Sequence, residues 1–339
     1  MEHFAGMDLH GRNTMVGITD ENDNRLFKKR FPNYLPVILS ALEPYKRTLK
    51  GIAVESTFNW YWLVDGLMDA GYPVVLAHPA GMVKYNGLKR SGDVDDAFWL
   101  AHLLRLGILP QGYIYPKEER QLRDLLRKRL ILVNQCTSHI LGFQSLTNRN
   151  IAESISSNEI KKLKVEDIGG MFENKHLILS GESNIYMIRC FQQRIALLEK
   201  EILKEAKLKP EFQRLLEMPG IGKILALTIA LETGEISRFK DDGNYASYCR
   251  CVDSEFTSNG KKKGEGNRKN GNKYLAWAYV EAANFARRYC PKALAYYNKK
   301  LARTNKNVAT KSLAGKICKV CYHLMRDDVA YDPERAFGQ

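Results

Sequence analysis

The chain has 339 residues, 45% hydrophobic and 27% charged, the balance of an ordinary globular protein and not of a disordered one. Lysine and arginine outnumber aspartate and glutamate by 52 to 38, a net charge of +14 that calls for an acidic partner, of which nucleic acid is the commonest. No apolar run approaches the roughly eighteen residues of a membrane span, no secretory signal opens the chain, and seven cysteines are an odd number, so a reducing cytoplasm without a disulfide framework is expected.

Phe4–Leu9, Met15–Thr19 and Arg25–Phe31 are short strand-like runs separated by the turn residues Gly11–Asn13 and Asp20–Asn24, which predicts an antiparallel meander. Tyr34–Tyr45 reads as helix, Gly51–Glu55 as a buried strand, Asn59–Ala70 as helix and Tyr72–Ala77 as strand. A further helix runs from Asp93 to about Arg105, with Ala97, Leu100, Ala101 and Leu104 on one face. Three strands, then helix, strand, helix, strand, helix is the order of an α/β ribonuclease H-like fold, placed at residues 1–115.

Residues 116–208 change character to long charged helices. Glu118–Leu146 holds the basic stretch Arg123–Arg129, and Thr147–Ser157 is a polar connector. Ile188, Phe191, Ile195, Leu198 and Ile202 follow the 3,4 spacing of a coiled-coil seam, which ordinary core packing over two heptads matches equally well. Pro210 and Pro219-Gly220 lead into a mainly helical domain placed at 209–330.

Four acids share a plausible meeting point. Asp8 lies in the first strand and Glu55 ends the central one, where an ionised carboxylate is costly unless paired or holding a metal. Asp93 and Asp96 share a face at the start of the helix that would lie across those strands, and Asp95 points elsewhere. Together they offer hard oxygen ligands for Mg²⁺ or Mn²⁺. Three have a simpler explanation, Glu55 as a helix cap and Asp93 and Asp96 as complements to a helix dipole. His10, two residues from Asp8, could support the metal acids, but a turn residue is the better reading.

In the C-terminal part, Met218-Pro-Gly-Ile-Gly-Lys223 between two helices predicts a helix-hairpin-helix, with Gly220, Gly222 and Lys223 gripping a phosphate at the second helix's N-terminus. Between Lys261 and Lys273 six basic residues (Lys261, Lys262, Lys263, Arg268, Lys269 and Lys273) face one acid, with three glycines and three asparagines interleaved. This composition predicts a flexible cationic loop for a nucleic-acid backbone, with Ser258 at its start. Cys249, Cys251, Cys290, Cys318 and Cys321 read as buried free thiols and not as a zinc site.

Gly6-Met-Asp8-Leu-His10, Ala53-Val-Glu55-Ser-Thr57, Ser91-Gly-Asp93-Val-Asp-Asp96-Ala97, Pro219-Gly-Ile-Gly222, Arg238-Phe239, Ser258-Asn-Gly260 and Asn270-Gly-Asn-Lys-Tyr-Leu275 together resemble the DEDD transposases of bacterial insertion sequences of the "one-ten" family. The resemblance covers nearly the whole chain. It implies a RuvC-like metal domain built on Asp8, Glu55, Asp93 and Asp96, a helical connector, and a transposase domain whose Ser258 is the nucleophile. It also implies donor and target DNA, an element-encoded bridge RNA as guide, a dimer or tetramer with a composite site, and a bacterial cytoplasmic protein at the nucleoid when on DNA. Two positions depart from the family pattern. Gly92 stands where a threonine is common, and Ser-Asn-Gly replaces Ser-Ser-Gly, so Thr257 and Ser254 are the alternatives to Ser258. A hydrolytic junction-resolving nuclease and a non-catalytic nucleic-acid-binding protein are the competing readings.

Overall fold

Strands β1 (His3–Leu9), β2 (Asn13–Asp20) and β3 (Arg25–Pro32) form the expected meander. The computed structural model describes residues 1–82, 92–205, 210–252, 255–259, 261–265 and 270–338. Helix α1 (Leu35–Leu42) stops earlier than its periodicity suggests, because Pro44 sits in a 3-10 turn over Glu43–Tyr45. Next come β4 (Leu49–Glu55), α2 (Tyr61–Asp69), β5 (Val74–Ala77), the short α3 (Pro79–Met82) and α4 (Asp93–Arg105). The sheet order is β3-β2-β1-β4-β5, with β1 antiparallel to β2 and parallel to β4, which is itself parallel to β5. This N-terminal mixed α/β unit is consistent with a RuvC-like fold.

Strand alternation decides what each face carries. Ala5, Met7, Leu9, Ile52 and Val54 pack with Ile38 and Leu42 of α1 and Leu63, Val64 and Leu67 of α2. On the opposite face Ala53 and Ala77 meet Leu100 and Leu103 of α4. Gly6 lies there too. A β-carbon on it would stand 1.9 Å from the Ala97 carbonyl oxygen and 2.7 Å from the Ala101 nitrogen. The missing side chain lets the backbone of α4 rest directly on β1.

The chain divides into two compact units, Met1–Lys117 and Glu118–Gln339. From its first residue the second unit is helical, in α5 (Lys117–Ile151), which extends through the first half of the expected polar connector. After α6 (Ser157–Ile160) comes α7 (Lys175–Glu205). Arg129 meets Glu199 at 2.6 Å and His139 meets Asn184 at 3.1 Å, so the two long helices run antiparallel. Their shared core includes Ile140, Phe143, Ile185 and Ile188, with Phe191 and Ile195 against it. The heptad-like stripe is thus packed within the chain.

The remaining helices are α8 (Pro210–Glu217), α9 (Lys223–Thr233), α10 (Asp242–Tyr248), α11 (Lys273–Tyr289), α12 (Pro291–Leu301), α13 (Lys306–Arg326) and α14 (Pro333–Phe337). They enclose a second core around Tyr245, Tyr279, Ala282, Leu313 and Ile317. Between α10 and α11 the chain forms a two-stranded ribbon, β6 (Glu255–Ser258) and β7 (Lys261–Glu265). No described helix is long and apolar enough to cross a membrane.

Candidate active site

The register of the first sheet pairs Met7 with Val54, which brings the next residues, Asp8 and Glu55, side by side at the carboxyl ends of parallel strands. Glu55 stands close enough to Asp8 to lower its carboxyl's pKa. Glu55 is not the cap of the following helix, which begins at Tyr61 behind Trp60 without a side-chain cap. Asp93 and Asp96, in the first turn of α4, lie close enough for their charges to act on Asp8. Asp95 turns away and pairs with Arg25 at 3.0 Å. Of the four acids, Asp8 and Asp93 fall with His10 in one group that could hold a metal, and Glu55 and Asp96 act on Asp8 from beside it.

Asp8 is 2% exposed. Burial pushes its carboxyl above the ordinary range and the charges of Asp96 and Asp93 push the same way, while neighbouring Glu55 and the His10 charge oppose them. Such a site holds carboxylates that repel one another until a cation joins them.

His10 was undervalued in the sequence. Its Nε2 lies 3.1 Å from Asp8 Oδ2 and 3.6 Å from Asp93 Oδ2, and one ligand atom from each of Asp8, His10 and Asp93 falls within 4.8 Å of the others. The available signal was spacing: Asp-x-His at the end of a strand returns the histidine to the aspartate's face. Its position is fixed through the backbone, since the His10 carbonyl accepts from Asn33 Nδ2 at 2.9 Å and Asn59 Nδ2 at 3.1 Å. Arg30, on β3, donates to Asp93 Oδ2 at 2.6 Å and adds a positive charge that sequence reasoning did not single out. The donor set fits a divalent metal: oxygen-rich, charged in excess and held by strand and helix backbone.

The other expected site residues belong to the second unit. Met218–Gly222 joins α8 to α9, and Gly222 is the N-cap of α9 with no side-chain cap and open space where a β-carbon would stand. Lys223 is exposed beside it. Gly220 has a different reason to be glycine. Its φ is +93°, and a β-carbon there would lie 2.5 Å from both the Ala282 oxygen and the Ala286 nitrogen of α11. The face assigned to phosphate approach is filled by a neighbouring helix.

The expected loop after Ser258 is instead a hairpin. Ser258 pairs with Lys261 and Thr257 with Lys262, around a turn in which Asn259 has φ +52°. The sequence signal was Asn259-Gly260, the commonest two-residue hairpin turn. Lys262 and Lys263 lie on β7, Lys261 is exposed, and exposed Lys273 opens α11. Ser254, Arg268 and Lys269 lie outside the described residues. Cys249, Cys251, Cys290, Cys318 and Cys321 are buried and free, and burial raises the thiols of Cys249 and Cys318.

Both sets of residues fall in stretches that match known families. Residues 5–148, which hold all four acids, match an IS110-type DEDD family model described as "Transposase". Residues 212–298, which hold Gly220, Gly222, Ser258 and the basic hairpin, match "Transposase IS116/IS110/IS902 family". Over 334 residues the chain is 24% identical to the transposase for insertion sequence element IS1328 of Yersinia enterocolitica, covering 94% of this chain and 95% of that protein. A probable family 20 transposase of Pseudomonas aeruginosa is 25% identical over 150 residues, 43% of this chain and 44% of its own length. Two separate stretches of the chain, one holding the four acids and one holding the glycine turn and the hairpin, thus each match a transposase family model.

Proposed function

We propose that this protein is an RNA-guided DNA transposase-recombinase that cuts and joins strands through Ser258, assisted by Asp8, Glu55, Asp93 and Asp96. The observation that carries the reading is the group of Asp8, His10 and Asp93, with one ligand atom from each within 4.8 Å of the others, in the segment that matches the DEDD family model. The four acids, with His10 beside them, would hold Mg²⁺ or Mn²⁺, which when bound supplies charge neutralisation at a phosphate.

The chain's own residues would do the rest. The Ser258 hydroxyl attacks phosphorus, a serine–phosphate bond forms, the bond to the departing strand breaks, and the serine proton passes to the departing oxygen. One phosphoester replaces another, so rejoining needs no ATP. Serine lacks an adjacent histidine or lysine in sequence, and the carboxylate site supplies the missing activation. The α8–α9 turn would act as a helix-hairpin-helix, with the Gly222 and Lys223 backbone and the Lys223 charge on phosphate, and Gly220 setting the turn. Lys261, Lys262, Lys263, Arg268, Lys269 and Lys273 would neutralise donor and target DNA or the guide RNA. Two or more copies would assemble the composite site.

Mixing the protein with end-labelled donor and target DNA, with and without the RNA transcribed beside its gene, tests the RNA claim. Joining only when the RNA is present supports it. Equal joining without RNA contradicts guidance, and cutting without joining points to the hydrolytic nuclease.

A further inference from the structure

Helix α10 ends in a Schellman turn: Arg250 N donates to the Ser247 carbonyl at 3.0 Å and Cys251 N to the Ala246 carbonyl at 2.9 Å. The residue at the left-handed position of such a turn is ordinarily glycine, yet here it is Arg250, with φ +56°. A side chain placed where it strains the backbone calls for a reason in what that side chain touches. Arg250 Nε donates to the Asn270 carbonyl at 2.8 Å, and a terminal guanidinium nitrogen donates to the Gly271 carbonyl at 3.0 Å. These carbonyls lie on the far side of the β6–β7 hairpin, where the chain returns to α11.

The segment that enters α11 is held on its other flank as well. Asn272 N donates to the Tyr248 carbonyl at 2.7 Å, and Gly271, at φ +83°, has that carbonyl 2.4 Å from where a β-carbon would stand. Asn272 caps α11 through Oδ1, and its Nδ2 donates to buried Glu232 at 2.7 Å. Arg127 of α5 donates to both oxygens of Glu232. The end of α10 and the segment entering α11, which flank the hairpin in sequence, are thus tied to each other, and the latter is tied to the helical core.

We infer that Arg250 is a positioning residue: its guanidinium closes the base of the β6–β7 hairpin and holds Ser258 in a fixed register for attack. The inference rests on the serine reading above for its catalytic consequence, but the clamp itself is independent of it. The planar fork matters, because it reaches two successive carbonyls at once, which a lysine ammonium on a flexible stem does not reproduce.

Arg250→Gly separates this role from helix capping, since glycine suits a left-handed φ better than arginine does. The experiment uses the full-length wild type, Arg250→Gly and Arg250→Lys. It measures melting temperature, DNA affinity, hydrogen exchange at the β6 and β7 amides, and the rate of covalent protein–DNA complex formation. The expected result for Arg250→Gly is an unchanged or higher melting temperature and DNA affinity within about twofold. Hairpin exchange should be about tenfold faster and covalent complex about tenfold slower. Arg250→Lys should follow the glycine variant. Hairpin exchange at the wild-type rate in Arg250→Gly would overturn the clamp, and wild-type behaviour of Arg250→Lys would reduce the residue to a charge. A wild type that forms no covalent complex would overturn the serine reading, while the exchange data would still decide the clamp.

Discussion

Gly6 of β1 sits directly beneath Ala97 of α4, so close that a β-carbon on residue 6 would stand 1.9 Å from the Ala97 carbonyl oxygen. This contact sets the height of α4 above the sheet, and with it the distance from Asp93 and Asp96 to Asp8. Gly6→Ala should force the helix backbone outward, costing about 1–3 kcal/mol, and should suppress DNA cleavage well beyond what the loss of stability explains. Denaturant unfolding and cleavage assays on the same preparation check this. An alanine variant with normal activity would show that the carboxylate geometry tolerates a shifted helix.

Asp8 exchanges stability for function. Its carboxyl is raised in the folded protein, above all by burial. Such a group favours folding only where it is protonated, at or below its ordinary value, and that advantage is lost as pH rises through the raised folded value. At neutral pH without metal, its charge opposes folding. Asp8→Asn should therefore melt about 2–4 °C higher than wild type at pH 7 in chelator, the shift that roughly 1 kcal/mol produces. The gain should shrink toward pH 4, and the variant should cut no DNA. Scanning calorimetry at the two pH values decides it, and a lower melting temperature at pH 7 would contradict the account of the site.

The glycines before α9 should respond differently to the same substitution. Gly220→Ala meets a left-handed φ and the backbone of α11, and should lose about 2 kcal/mol or more of stability. Gly222→Ala meets open space and should cost about 1 kcal/mol or less. Its effect belongs in DNA affinity, weakened about three- to tenfold on all sequences alike, as one phosphate contact is lost. Urea melts and filter binding on unrelated duplexes separate the two. Unaltered DNA binding by Gly222→Ala would take the turn out of the interface.

The meander, the alternating helices and strands and the nearness of Asp8 and Asp93 were legible in the sequence, because strand alternation and helix spacing are local rules. Three features were not. His10 was passed over because a lone histidine in a turn is uninformative until Asn33 and Asn59 fix its carbonyl. Gly220 was assigned to phosphate because Pro-Gly-Ile-Gly does not reveal that α11, more than fifty residues later, fills that space. Between Lys261 and Lys273 the charge density masked the Asn259-Gly260 hairpin signal. Repulsion among lysines argues for a loop, and only the pairing of Glu255–Ser258 with Lys261–Glu265 outweighs it.

The measurement that tests the central claim most directly is denaturing electrophoresis of end-labelled DNA after reaction with wild type and Ser258→Ala, with and without protease. Wild type should give a protease-sensitive covalent band, and Ser258→Ala should lose both the band and strand joining while its DNA affinity holds. Retention of the band in Ser258→Ala with its loss in Thr257→Ala or Ser254→Ala would move the nucleophile along the chain. Wild-type product rates from Ser258→Ala, with no covalent band in any lane, would contradict serine-mediated recombination and leave a metal-dependent nuclease.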